Sequence, residues 1–215
     1  RGIRLSLYLD DRNPLRGQYG RELAGPLSAR DIAAWRSRLT DSWELLCTDH
    51  RPLAEAMAAC LTRIVPLRPG PSGPVVSSAA RRAYGAVGAS LPRDPEVLAL
   101  TLVHEFLHVQ LGALLDLVPL HQADRTPRYR AAWRPDLRPV GALLQGAYAH
   151  LGVTGFWHTR IRAARESSRR ERARRQFAHQ RKATADALDA LASSGQLTEA
   201  GAVFVHEMRS RLEEW

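Results

Sequence analysis

Five residues constrain this chain more than any others. His104-Glu105-Phe106-Leu107-His108 lies inside Val97–Leu120, a run that is otherwise almost entirely apolar. On an α-helix, positions i and i+4 share one face. Both imidazoles can then reach a single divalent ion, while Glu105, about a quarter turn away, can take a proton from water held there. Burying two histidines and a carboxylate without partners is costly, and a metal removes the difficulty. The alternative is a pair of hydrogen-bonded core histidines. The same run is a poor membrane span, because Glu105, Asp116 and the two histidines interrupt it.

Two histidines do not complete a ligand set. The elongated pattern with glycine and histidine three and six residues further on is excluded by Leu111 and Leu114. A downstream ligand glutamate is excluded too, since none occurs between Glu105 and Glu166. Asp116 is eight residues beyond His108, roughly 12 Å along a helix. His150 is the preferred third ligand: it lies in an apolar helical segment, Leu143–Leu151, whose Gly146 and Ala147 permit close packing. His121 is the fallback, and a core role for His150 is the remaining alternative. Between the two ligand-bearing segments, Tyr129, Arg130, Trp133, Arg134, Asp136 and Arg138 cluster within ten residues. An arginine fork there can clamp a carboxylate, or simply pair with Asp136.

The pattern along the 215 residues predicts a mainly α protein with a small β-sheet, an α+β class with a zincin-like central metal-binding helix and helical surroundings. A single domain is expected over 1–215. Its front part (about 1–66) is helical, its metal core spans about 74–157, and basic helices fill about 160–215. Ile3–Leu9 alternates like a half-buried strand. Ser28 and Asp31 form a capping signal ahead of a helix carrying Ile32, Trp35, Leu39, Trp43 and Leu46. A second helix is expected from Pro52 to Ile64, a loop over Pro66–Pro74, and strands near Val75–Ser77 and Ala83–Val87. Pro95 is placed to open the central helix. Residues 118–139 read as an ordered loop, a helix runs from about Val140 to Trp157, residues 160–191 are helix-compatible, and Thr198 opens a last helix.

The net charge is +9, and all but Lys182 of the 31 basic residues are arginine. With the Ala, Leu and Pro richness, this reads as the codon bias of a GC-rich genome and a solvated surface. Nucleic acid is not expected as a partner: Phe177 is the only aromatic within Arg160–Lys182, where stacking would need more. Cys47 and Cys60 match no ligand or disulfide spacing, which suits a reducing, cytoplasmic setting. A chain opening at Arg1 is expected to be a domain cut from a longer protein.

Several stretches taken together resemble the HExxH-motif peptide-modification domain of bacterial pathways that tailor ribosomally made peptides. They are Leu102–His108, Leu114–His121, Ala132–Pro139, Leu144–Leu151 and Ser194–Gly201. The resemblance implies a metal-dependent enzyme acting on a precursor peptide, partnered by a fused or separate radical-SAM maturase, without nucleic acid or membrane. It further implies iron(II) and 2-oxoglutarate as cofactors for side-chain β-hydroxylation. His104, His108 and His150 would hold the metal, Arg134 or Arg138 the far carboxylate of 2-oxoglutarate, and Tyr129, Trp133 and Tyr148 the peptide. The alternative is a zinc peptidase cleaving the precursor, with Glu105 as general base.

Overall fold

A computed structural model describes residues 2–70 and 75–215. The last four residues of the expected 66–74 loop, Pro71 to Pro74, lie outside them. The protein is mainly helical (60%) with a small mixed sheet, an α+β architecture. It divides into two compact units, residues 1–109 and 110–215.

The first unit holds a four-stranded sheet ordered β1-β2-β4-β3, from β1 (Tyr8–Leu9), β2 (Arg63–Pro66), β3 (Ser77–Ala79) and β4 (Ala86–Ala89). β1 and β4 flank β2 in parallel, and β3 closes one edge antiparallel to β4. The Ile3–Leu9 alternation is real in burial, with Ile3, Leu5, Leu7 and Leu9 half-buried between exposed neighbours, yet only Tyr8 and Leu9 join the ladder. Helix α1 (Ala29–Asp49) begins with a complete capping box: the Asp31 N–H donates to Ser28 Oγ (3.2 Å) and the Ser28 N–H to the Asp31 carboxylate (3.0 Å). The Ser28 hydroxyl, which donates to the Asp31 carboxylate at 2.6 Å, and the Ser28 N–H together hold that carboxyl below its ordinary value.

Helix α2 (Arg51–Cys60) ends four residues earlier than its apolar spacing predicts. Ile64 leaves the helical pattern and forms the centre of β2 with Val65, both essentially buried. β-Branched side chains favour that environment, and ladders on both sides satisfy the backbone. The turn into β4 requires Gly85: its φ is +75°, and a Cβ would sit 2.7 Å from the Cys60 carbonyl oxygen.

Helix α3 (Pro95–Leu117) starts where proline predicts. Asp94 caps it, accepting from the Glu96 N–H at 2.8 Å, and Pro95 has no N–H to leave unpaired. Leu98, Ala99, Leu102, Val103, Phe106 and Val109 are all buried. These six share one side of the helix, and Leu107 and Leu111 are buried on the other, the mark of an interior helix. By length and composition α3 would suffice to cross a bilayer, but 61% of its most apolar window is buried inside the protein, as in a core helix.

In the second unit, the expected 118–139 loop contains a hairpin of β5 (Tyr129–Ala131) and β6 (Arg134–Arg138). Helices α4 (Val140–Ala163), α5 (Ser167–Ala192) and α6 (Glu199–Glu213) follow. α4 continues past Trp157, and residues 164–166 break the long helix-compatible stretch so that α5 can fold back along α4. Thr154 and Thr184 Oγ1 meet at 3.3 Å between them. Leu143, Leu144, Ala147, Leu188, Leu191, Met208 and Leu212 form the core. Each buried leucine contributes about 1.5–3 kcal/mol over an exposed one. Thr198 caps α6, accepting from the Gly201 N–H at 3.0 Å, and its hydroxyl donates to the Pro119 carbonyl at 2.7 Å. Gly201 has no room for a side chain, since a Cβ would fall 1.7 Å from the Leu120 carbonyl oxygen.

Candidate metal centre

On α3 the two motif histidines meet as the spacing predicts. Their Nε2 atoms are 3.1 Å apart, with ring centroids at 4.7 Å and planes at 83°. Two nitrogens at that separation, each about 2.0–2.1 Å from one ion, would subtend roughly 100° there, between octahedral and tetrahedral values. Imidazole suits zinc, iron, nickel and copper. The distance also suits a hydrogen bond between one protonated and one bare Nε2. By donor type and placement the pair fits a metal ion.

Glu105 is 3% exposed, and one carboxylate oxygen, Oε1, lies 4.0 Å from His104 Nε2. Two groups of β3 hold the carboxylate: the Ser77 hydroxyl and the Ala79 N–H donate to it. Its other oxygen, Oε2, is buried without a hydrogen-bond partner among the described residues. Burial pushes the carboxyl up to about 7, against the opposing pull of Ser77, the Arg21 charge and the Ala79 N–H. No sequence motif marks Ser77, Ala79 or Arg21; the β3 register brings the first two to Glu105.

Among the described residues, no group of three His, Cys, Asp or Glu side chains is placed to hold one ion. His150 has a defined setting in the second unit. Its ring stacks on Trp133 at 4.0 Å and 17°, and its Nδ1 lies 2.8 Å from Gln180 Oε1 on α5. Gly146, one turn earlier, makes the stack possible, because a Cβ there would lie 2.8 Å from the Trp133 ring. The close packing that Gly146 predicts is therefore realised with the hairpin tryptophan. Gln180 sits among basic residues, and nothing in the sequence pattern points to it. His121 Nδ1 is 2.7 Å from the Gln122 carbonyl oxygen, and its ring lies against Gly141, where a Cβ would be 2.6 Å from Nε2.

Arg134 and Arg138 both donate to Asp136, at 2.9 and 3.0 Å, and hold its carboxyl down to about 2. All three side chains are a third to a half exposed. Tyr129, Trp133 and Tyr148 pack against the second unit's core, and the Tyr148 hydroxyl donates to Gln110 at 2.8 Å. The chain matches no protein-family model and no curated protein.

Proposed function

We propose that this chain is a metal-dependent peptide-modifying enzyme with a zincin-like central helix, in which His104 and His108 bind one divalent ion and Glu105 moves a proton beside it. The reading is carried by the 3.1 Å approach of two Nε2 atoms next to a buried carboxylate. A bound metal would supply Lewis acidity or redox chemistry toward the substrate. The protein supplies the rest. The buried helix fixes both rings before any ligand arrives, so little side-chain entropy remains to be lost. The β3 donors orient the Glu105 carboxylate, and its second oxygen is left to accept a proton. The apolar flanks of α3 exclude water, which strengthens each polar contact inside.

For the reaction we adopt β-hydroxylation of a precursor-peptide side chain with iron(II) and 2-oxoglutarate, which the sequence resemblance implies. The absence of a ligand glutamate before Glu166 supports it. Arg134 and Arg138 would receive the oxoacid's far carboxylate by releasing Asp136, an exposed pairing of the kind that is worth little. A zinc peptidase is the second reading, favoured by the placement of Glu105 as a general base. The test combines metal content after anaerobic purification with peptide mass under iron(II), 2-oxoglutarate and air. A gain of one oxygen atom with formation of succinate supports the hydroxylase. Cleavage with zinc and no 2-oxoglutarate supports the peptidase. A protein that retains no metal overturns both. Metal content of His150→Ala and His121→Ala proteins reports which of the two contributes a ligand.

A further inference from the structure

The charge of this protein is not spread over its surface. Residues 160–182 carry ten arginines and lysines against two carboxylates, Glu166 and Glu171, a net +8 out of +9 for the whole chain. A genome-wide arginine bias does not explain such concentration. Helix α5 holds seven of the ten, and Arg169, Arg174, Arg175 and Lys182 keep 62–77% of their side-chain surface in solvent. Arg170, Arg174, Phe177 and Arg181 fall at i, i+4, i+7 and i+11, one stripe along the helix. At the end of that stripe a surface pocket of about 550 Å³ opens, lined by Phe177, Ala178, Arg181, Lys182, Ala185 and Trp215. Its floor is aromatic and aliphatic, and its rim is cationic.

We propose that this face of α5 is a docking surface for an acidic peptide segment, with carboxylates along the arginine stripe and one apolar side chain in the Phe177–Trp215 pocket. The surface belongs wholly to the second unit and does not depend on the metal reading. Two observations favour a peptide over nucleic acid. First, Phe177 is the only aromatic of Arg160–Lys182, so the stripe offers no series of rings on which bases could stack. Second, a pocket with an apolar floor rewards a ligand that alternates apolar and acidic groups, as a peptide does and a phosphodiester backbone does not. Electrostatic complementarity then sets specificity and association rate.

The test is fluorescence anisotropy with three labelled peptides: Glu/Asp-rich with one Phe, the same with Ser for Phe, and its Gln/Asn counterpart. The expected order is the first tightest, the second weaker by a few fold, and the third weaker by at least about tenfold, with affinity falling as salt is raised. Replacing Arg174, Arg175, Arg181 and Lys182 with Gln keeps helix propensity. It should cost at least about tenfold in affinity for the first peptide while leaving the far-UV spectrum unchanged. A second variant, Arg169→Gln with Arg174→Gln and Arg175→Gln, should give a smaller loss in the same direction. Equal binding of the acidic and neutral peptides overturns the proposal, as does an acidic-peptide affinity that neither variant changes. A duplex oligonucleotide that binds more tightly than the acidic peptide overturns it in favour of nucleic acid. Chelation with EDTA should leave peptide binding intact, which separates failure here from failure of the metal reading; loss on chelation counts against this surface.

Discussion

Glu105 and Asp136 carry the same chemical group in opposite circumstances. Glu105 sits on a buried helix with one oxygen unpartnered, and its carboxyl rises to about 7. Asp136 sits on an exposed hairpin between two guanidinium groups, and its carboxyl falls to about 2. Near neutral pH the first exchanges a proton readily, whereas the second stays a fixed charge. Desolvation opposes ionisation, and paired cations favour it. The near-neutral carboxyl is therefore found where burial outweighs the pull of a single arginine, Arg21. The arginine-rich loop, which looks the more reactive in sequence, is electrostatically settled.

Three perturbations break or sharpen this contrast. The largest effect should come from His108→Ala. Loss of an outer-shell partner alone weakens metal binding 10–100-fold, so loss of a ligand should cost about a thousandfold, read by competition with a chromogenic chelator. Unchanged affinity would mean that the histidines form a hydrogen-bonded core pair. Next is the pH dependence of the metal-free protein. Glu105 has a folded-state value raised from 4.5 to about 7, so the fold favours its protonated form. Stability should therefore fall as pH rises from about 4.5 to 7 and level off above, by about 3 kcal/mol in total. Urea midpoints across that range should show the decline in the native protein and not in Glu105→Gln; a decline that persists in the variant places its origin elsewhere. The smallest effect belongs to Asp136→Asn. It should leave the midpoint at pH 7 where it was, because exposed pairs contribute little. It should also free both arginine forks, so tighter 2-oxoglutarate binding by calorimetry would support their role as the oxoacid anchor.

The sequence made α3 readable because three signals agree there: a proline start, a largely apolar run and the i, i+4 histidines. The α1 capping box was equally plain, since Ser28 and Asp31 are local to each other. What escaped was non-local. Ile64 continues the α2 spacing, and only pairing with β1 and β4 makes it strand. The β5–β6 hairpin was hidden by Pro127, Pro135 and Pro139, which read as loop. The partners of the candidate site residues were hidden for the same reason. Ser77 reaches Glu105 through sheet register, and Gln180 reaches His150 because α5 folds back on α4. Gly146 was read correctly as a point of close approach, but the tryptophan that fills it lies in the hairpin turn.

The contact between Leu120 and the first turn of α6 bears on how the second unit folds. The Thr198 hydroxyl and the Pro119 carbonyl it bonds are 79 residues apart. Such a closure must overcome chain entropy before its few bonds repay it. The α4–α5 hairpin, linked by only residues 164–166, faces no such delay and is expected to form first. Until α6 docks, the apolar face that Val205, Met208 and Leu212 cover stays open. Gly201 then governs the last step. Any larger residue would block the Leu120 carbonyl, so Gly201→Ala should slow the final refolding phase while leaving the early hairpin untouched.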